Sequence, residues 1–427
     1  TPSGGPAIGY AHSALPVVIN STVNYGADFP PESAVFSLQT ADGTYSGVKT
    51  TDGHNIYLYN VDGYIVGRVG GDGVPGSSGD ASDHGQIAFA ITIEQSGNID
   101  VAQYLSLQHP NTASNDETIS LNDGAIQAQL VVTDSDGDAV PAVADIGSHI
   151  RFDDDGPKLV GRSDAYTADE DDILDLQSVG SHPNDGNADG SFTGAPIDNF
   201  AGPAYLSGNL ANFVDFGADG PGGFKFSGDT ISTLQNLSLS SKGVDLSYTM
   251  VSNTLVAYVE QFGAGYNPLA DRTVFTLSLD SNGQFEFKLY DQFDHVYGNN
   301  GENSQLAGTG TINALNFGSL ILATDGDGDS IAMNGKLTIK ITDDVPHIVS
   351  FNETGAGVTI DESGGIFNDN NTILPAIANL FTSLAGSVGH DPDMAPVYAF
   401  NILPVVTGVS LPGADEPATS VLTLQVS

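Results

Sequence analysis

Two stretches of this chain are copies of one another, and that repetition limits what it can fold into. Ala88-Phe89-Ala90-Ile91-Thr92-Ile93-Glu94-Gln95-Ser96-Gly97-Asn98-Ile99-Asp100-Val101 lies over Val274-Phe275-Thr276-Leu277-Ser278-Leu279-Asp280-Ser281-Asn282-Gly283-Gln284-Phe285-Glu286-Phe287 without a gap, and His109 answers to His295 at the same offset. Further on, Thr133-Asp134-Ser135-Asp136-Gly137-Asp138 matches Thr324-Asp325-Gly326-Asp327-Gly328-Asp329, and Asp154-Asp155-Gly156-Pro157 matches Asp343-Asp344-Val345-Pro346. A third relation ties Tyr10 to Val18 with Tyr398 to Val406, and runs on to Val35-Phe36-Ser37-Leu38-Gln39 against Val421-Leu422-Thr423-Leu424-Gln425. The expected organisation is therefore a repeat over 1–157 that lacks its N-terminal part, a second, divergent repeat over 158–346, and the N-terminal part of a third over 347–427. Those terminal pieces could complement one another between neighbouring copies of a fibre.

Inside each copy the apolar period is two. Phe275, Leu277 and Leu279 alternate with polar neighbours, Asn282-Gly283 marks a turn, and Phe285, Phe287 and Leu289 resume the alternation, which is a hairpin signature. Leu337, Ile339 and Ile341 alternate just before Asp343. Many short strands joined by Gly- and Asp-rich turns predict an all-β fold of tandem β-sandwiches. Leu374, Ile377, Leu380 and Phe381 keep helical spacing behind Asn370, Asn371 and Thr372, so a short helix is expected over 374–384, near the start of the last segment.

Composition closes off several functions. With 11 Lys+Arg against 53 Asp+Glu, a formal charge of −42 excludes nucleic-acid binding by phosphate neutralisation. The absence of cysteine removes disulfides, thiolate-ligated metals and thiol nucleophiles. No apolar run approaches the roughly 18 residues of a membrane span, and the Thr1-Pro2-Ser3 start has no signal-peptide pattern, so the expectation is a soluble chain whose export signal lies elsewhere. No nucleophile elbow stands out, and paired carboxylates such as Asp280 and Glu286 say little in so acidic a chain. A non-enzymatic role is expected.

The chemistry-bearing pattern is the aspartate run. Asp134, Asp136 and Asp138, and again Asp325, Asp327 and Asp329, place three carboxylates on one tight bend with a glycine between the last two. Such groups repel unless a cation compensates them, and Ca²⁺ with its 6 to 8 oxygen ligands suits them better than Mg²⁺. A second acidic set lies at each domain junction: Asp153, Asp154 and Asp155 followed by Asp169 and Asp171, then Asp343 and Asp344 followed by Asp361 and Glu362. Carboxylates from the end of one domain beside those from the start of the next would let one ion clamp the linker. His109 and His295, each after a strand, read as strand-end caps, with a ligand role as the alternative.

The strand ending in Gln103 to Pro110, the run Val132 to Asp138 and the closing Phe152-Asp153-Asp154-Asp155-Gly156-Pro157, in that order, resemble the tandem repeats of giant RTX (repeats-in-toxin) adhesins and related bacterial surface proteins exported by type I secretion. The glycine-rich nonapeptides of the wider family are absent, which directs the resemblance to the extender region. It implies calcium-rigidified cell-adhesion repeats at the cell surface or in a biofilm matrix, with neighbouring repeats of the same chain or fibre as partners. The alternative it leaves is a calcium-dependent module binding a cell-surface glycan or peptide, for which the region Asn199 to Phe226, rich in Gly, Phe and Tyr, would be the place.

Overall fold

The structure, a computed structural model, describes residues 6–19, 33–71, 83–112, 114–170, 173, 204–261, 263, 265–296, 303–343, 347–357 and 404–411. The expected helix over 374–384 lies outside these residues. One α-helix, Thr230–Gln235, is found among them, and no helix there is long and apolar enough to cross a membrane. Apart from a few 3-10 turns, the other regular elements are all strands, joined by turns and loops, so the fold is all-β.

The alternation read in the sequence produces two units of related topology. In the first, strands Gly9–His12, Ile99–Gln103, Ile87–Ile93, Tyr64–Val69, Asn55–Val61 and Thr44–Lys49 lie side by side in that order. Against this sheet packs a smaller one of Ala139–Asp145, Gln127–Thr133 and Ser33–Gln39. In the second unit Ala204–Asn209, Gln284–Leu289, Arg272–Leu279, Thr254–Val259 and Ser247–Val251 form the large sheet, and Pro221–Phe226, Ile321–Asp325 and Ser330–Ala332 form the counterpart of the smaller one. Each copy thus hangs the repeated hairpin in the same place. Gly9–His12 pairs antiparallel with Ile99–Gln103 as Ala204–Asn209 pairs with Gln284–Leu289.

The hairpin turns follow from local chemistry. Gly283 takes φ +81° and Gly97 takes φ +85°, the left-handed region where a residue without Cβ pays no steric penalty. Gly283 N–H donates to Asp280 O at 3.1 Å and Asp280 N–H to Gln284 O at 2.9 Å, and Glu94, Gly97 and Asn98 repeat the pattern. This is a three-residue loop closed by a left-handed glycine.

Inward-facing residues of both sheets build two separate cores. In the first, Phe89, Ile91, Ile56 and Leu58 meet Leu38, Ala128 and Phe152. In the second, Phe275, Leu277, Phe287 and Leu255 meet Ile321, Ala323, Ile339 and Phe317. Phe89 and Phe275 hold the same repeat position and both are fully buried. The ring of Phe89 lies 5.2 Å from Phe152, and that of Phe275 lies 5.4 Å from Phe287 and 5.6 Å from Phe317, geometry worth about 0.5–1.5 kcal/mol per pair beyond burial.

One pairing has no precursor in the sequence pattern. Asp164–Asp169 runs parallel to Leu337–Thr342, Asp164 opposite Leu337 and Asp169 opposite Thr342. The linker that feeds this strand is knitted to the second unit: Lys158 and Leu159 pair with Asp215 and Val214, Val160 N–H donates to Phe213 O, and Lys336 Nζ donates to the carbonyls of Val160 at 3.0 Å and Gly161 at 2.7 Å. From that anchored end the strand climbs six residues, roughly 20 Å at about 3.3 Å each, and so carries Asp169 and Glu170 to the opposite end of the unit. Among the described residues of the last segment, His347–Glu353 and Val406–Leu411 form an antiparallel pair.

Candidate metal centre

Both aspartate runs fold into one loop. Asp134 N–H donates to Asp138 O at 3.1 Å and Asp325 N–H to Asp329 O at 3.0 Å, while Asp138 N–H and Asp329 N–H each donate at 2.8 Å to the Oδ1 of Asp134 and Asp325. Gly137 at φ +100° and Gly328 at φ +118° make the bend, so the remaining carboxylates project together, as the spacing implies. The surroundings differ completely. Asp136 and Asp138 are exposed to solvent, whereas Asp325, Asp327 and Asp329 are pressed against the end of the first unit.

That contact is close. His109 N–H donates to Asp327 Oδ2 at 3.0 Å, the Thr51 hydroxyl donates to Asp219, and Ala218 N–H donates to the Asp155 carboxylate at 3.2 Å. A Cβ at Gly326 would stand 2.4 Å from Asp219 O and 2.9 Å from Thr51 Cγ2, and one at Gly328 would stand 2.9 Å from Thr112 Cγ2. Only glycine lets the second loop approach the first unit this closely.

The approach assembles one histidine and five carboxylates. His109 Nδ1 lies 3.2 Å from Asp154 Oδ1 and 3.9 Å from Asp327 Oδ2, and the three side chains are 4%, 2% and 1% exposed. Ligand atoms of His109, Asp154 and Asp327 lie within 4.8 Å of one another, and so do those of Glu117, Asp154 and Asp329. Glu117 is brought in by backbone: Asp154 N–H donates to its carbonyl at 3.0 Å, and Asn111 N–H donates to its Oε1 at 2.8 Å. His109 Nδ1, Glu117 Oε2, Asp154 Oδ2, Asp325 Oδ2, Asp327 Oδ1 and Asp329 Oδ2 are all buried without a hydrogen-bond partner. Among the described residues no Lys or Arg forms an ion pair with these carboxylates.

Electrostatics reports the same conflict. Burial pushes the Asp154 carboxyl up to about 6, against the pull of His109 and with a further push from Asp327. Burial, then the proximity of Asp327, pushes Asp325 up to about 7. Asp329 and Asp219 are also raised, burial being the main cause in both. Buried like charges and orphaned acceptors each cost free energy that a bound cation removes, so the donor set fits a divalent metal.

A related cluster ends the second unit. Glu170, His295 and Asp343 bring ligand atoms within 4.8 Å of one another, His295 Nε2 lying 3.3 Å from Glu170 Oε1 with side-chain exposures of 4% and 0%. His295 and Asp343 hold the repeat positions of His109 and Asp154. A third group, His12, Glu94 and Asp100, lies at the surface, where Asp100 raises the His12 pKa chiefly through a 2.8 Å hydrogen bond.

Set against the residues read from sequence, Asp154, Asp325, Asp327 and Asp329 share the junction centre. Asp155 holds the Ala218 backbone instead, and Asp153 points outward to accept from Thr118 Oγ1 at 2.6 Å. The expected partners of Asp154 across the linker are replaced: Asp169 stands opposite Thr342 at the far end, next to Glu170 and Asp343. Asp134, Asp136 and Asp138 form their own solvent-facing triad. Asp171, Asp344, Asp361 and Glu362 lie outside the described residues. His109 and His295 sit inside carboxylate clusters rather than merely closing strands; Glu170 belongs to the acidic run Asp169-Glu170-Asp171-Asp172 that follows the first junction, while Glu117 does not stand out in the sequence. The shared offset of the two histidines was the available signal; Glu117 offered none beyond its acidic neighbours.

Fold and site together define an all-β chain of two like units with a carboxylate-rich centre where they meet. A family model described as a domain of unknown function (DUF5801) matches residues 11–147, a span that covers most of the first unit and includes His109, Glu117 and the Asp134–Asp138 loop. No curated protein matches the chain.

Proposed function

We propose that this chain is a stretch of structural extender repeats from a large extracellular bacterial adhesin or surface fibre, non-enzymatic, with divalent cations, calcium foremost, locking successive units. The observation that carries the reading is the junction itself. Five carboxylates from two units converge with six orphaned buried polar atoms, an arrangement whose like charges repel unless a cation compensates them. Extracellular calcium modules bind at about 10⁻⁴–10⁻³ M, so such a joint would be loose where calcium is scarce and stiff in a calcium-rich medium. The excess of 53 acidic over 11 basic residues acts in the same direction through self-repulsion.

The alternative, a module that recognises a glycan or peptide, gains no support from the region proposed for it. Of residues 199–226, those from 204 onward build strands and short turns; Leu206, Leu210, Val214 and Phe224 are buried in the second core, with Phe213, Phe216 and Phe226 packed against it. Those side chains support the fold and the junction rather than an open aromatic shelf. Small-angle X-ray scattering of the chain in millimolar Ca²⁺ and in EDTA tests the extender reading. A sharp gain in length and rigidity with calcium is expected, and identical profiles in both would overturn it.

A further inference from the structure

The junction centre also carries information on which cations it takes, an inference that rests on reading it as a cation site at all. Its ligand atoms fall into two triads that share Asp154. Glu117, Asp154 and Asp329 offer only oxygens, while His109, Asp154 and Asp327 offer a ring nitrogen with two oxygens. Ligands facing one another across an ion at about 2.1–2.4 Å stand about 4.2–4.8 Å apart. Both triads, with all atoms within 4.8 Å, therefore have the span of a coordination shell.

The orientation of the imidazole separates the two. His109 Nε2 lies 3.4 Å from Phe152 O, and a carbonyl can only accept, so Nε2 carries the proton and Nδ1 presents its lone pair. That lone pair faces Asp154 Oδ1 at 3.2 Å and Asp327 Oδ2 at 3.9 Å, in a buried spot with no hydrogen-bond partner for Nδ1. Three converging acceptors call for a positive centre between them. A second proton on the ring would serve at most one carboxylate and leave Asp327 Oδ1 and Asp154 Oδ2 still orphaned. The backbone carbonyl on the remote nitrogen is the outer contact that metal-bound histidines use to fix their tautomer. Imidazole with carboxylates suits Zn²⁺ and its neighbours, whereas oxygen alone suits Ca²⁺.

We propose that the junction is a paired site bridged by Asp154, with a hard cation held by Glu117, Asp154 and Asp329 and a borderline transition ion of the Zn²⁺ class held by His109, Asp154 and Asp327. The histidine then sets metal selectivity, and the joint responds to two ions rather than one.

The test is calorimetric titration of the whole chain with ZnCl₂ in saturating CaCl₂, with thermal melts in parallel. Wild type is expected to bind a Zn²⁺ equivalent that raises the melting temperature beyond the calcium value. His109→Gln should weaken that equivalent by more than the roughly 10–100-fold that loss of even an outer-shell partner costs, while keeping the calcium-dependent rise. Since His12, His54, His84 and His295 also lie near carboxylates, their four single changes to Gln serve as controls that retain the equivalent, and its loss in any one of them overturns the assignment even if His109→Gln does not fold. Zinc without effect in calcium, zinc binding unchanged by His109→Gln, or loss of the equivalent in a control variant overturns the paired site, a Nδ1 proton then accounting for the ring. If calcium too is without effect on the melt, it is the parent reading that falls.

Discussion

Replacing Asp154 by asparagine should stabilise the chain without calcium and forfeit that advantage with it. The side chain is 2% exposed and its carboxyl is pushed up to about 6 from 3.8, first by burial. At pH 7.5 in EDTA it is nonetheless mostly ionised. A shift of about 2 units at roughly 1.4 kcal/mol per unit means that its charge costs the folded state about 3 kcal/mol. The amide removes that cost but forfeits the attraction to His109, so a net gain of about 1–2 kcal/mol is expected. In 10 mM calcium most or all of that gain is lost. A site with a dissociation constant of about 10⁻⁴–10⁻³ M contributes roughly 1.4–2.7 kcal/mol there by linkage, and Asp154 belongs to both triads. Units of this size shift by about 2–4 °C per kcal/mol, so adding calcium should raise the wild-type melt by about 3–10 °C more than the variant's, the other acidic clusters contributing alike to both. Calorimetric melts of both proteins in both buffers give the four numbers needed. Equal destabilisation of Asp154→Asn in EDTA and in calcium would refute the reasoning, because it would show a carboxylate satisfied by protein alone.

Raised carboxyls also set a pH dependence. Asp154, Asp219, Asp325 and Asp329 have folded-state pKa values above the unfolded 3.8, Asp154 at about 6 and Asp325 at about 7, so the folded state binds more protons between about pH 4 and 7. Their stabilisation is complete below the unfolded value and is lost as pH rises through the folded ones; melts in EDTA should fall steadily from pH 4.5 to 7.5, and calcium should reverse the trend above pH 7. Asp136→Asn with Asp138→Asn, on the solvent-facing loop, should move the melting temperature in EDTA by no more than about 2 °C, while removing calcium binding from that loop in a titration. Gly67→Ala should destabilise the first unit by about 1–3 kcal/mol, read by denaturant unfolding, since its Cβ would stand 2.5 Å from the Phe89 ring opposite it in the sheet.

What could be read in advance was local. Alternation around Phe275 and Phe285 fixes which face is buried, and Asp280 to Gly283 fixes a turn, because both depend on residues a few positions apart. The Asp325 to Asp329 loop was legible for the same reason: Gly328 and the Asp325 carboxylate shape it from within. Partnership was not legible. Asp327 meets His109 across 218 residues, and nothing in the repeat pattern says whether Asp154 should face Asp169 or Asp327. The parallel pairing that decides it, Asp164 with Leu337, brings together segments whose alternation is equally good for either choice. Histidine read as a strand cap had a real basis, since His109 does touch Phe152 O, but the cap frees the other nitrogen for the cluster.

In the proposed array the two histidine clusters would set a direction. His109 and Asp154 in the first unit, and His295 and Asp343 in the second, come from the same repeat positions and lie at the same end of each unit, opposite the aspartate loop. In the first unit the set is completed by Asp327 and Asp329, which the following unit delivers; in the second, Glu170 arrives on the unit's own parallel strand. The junction therefore joins unlike surfaces, loop end to histidine end. Such a contact is heterologous, and it leaves the first unit's own aspartate loop, with Asp134, Asp136 and Asp138, facing solvent. A self-complementary contact would stop at two units, whereas this one can be repeated without limit unless its rotation closes a ring. On the proposed extender reading, length would then be set by the number of repeats, and stiffness by cation occupancy of the centres between them.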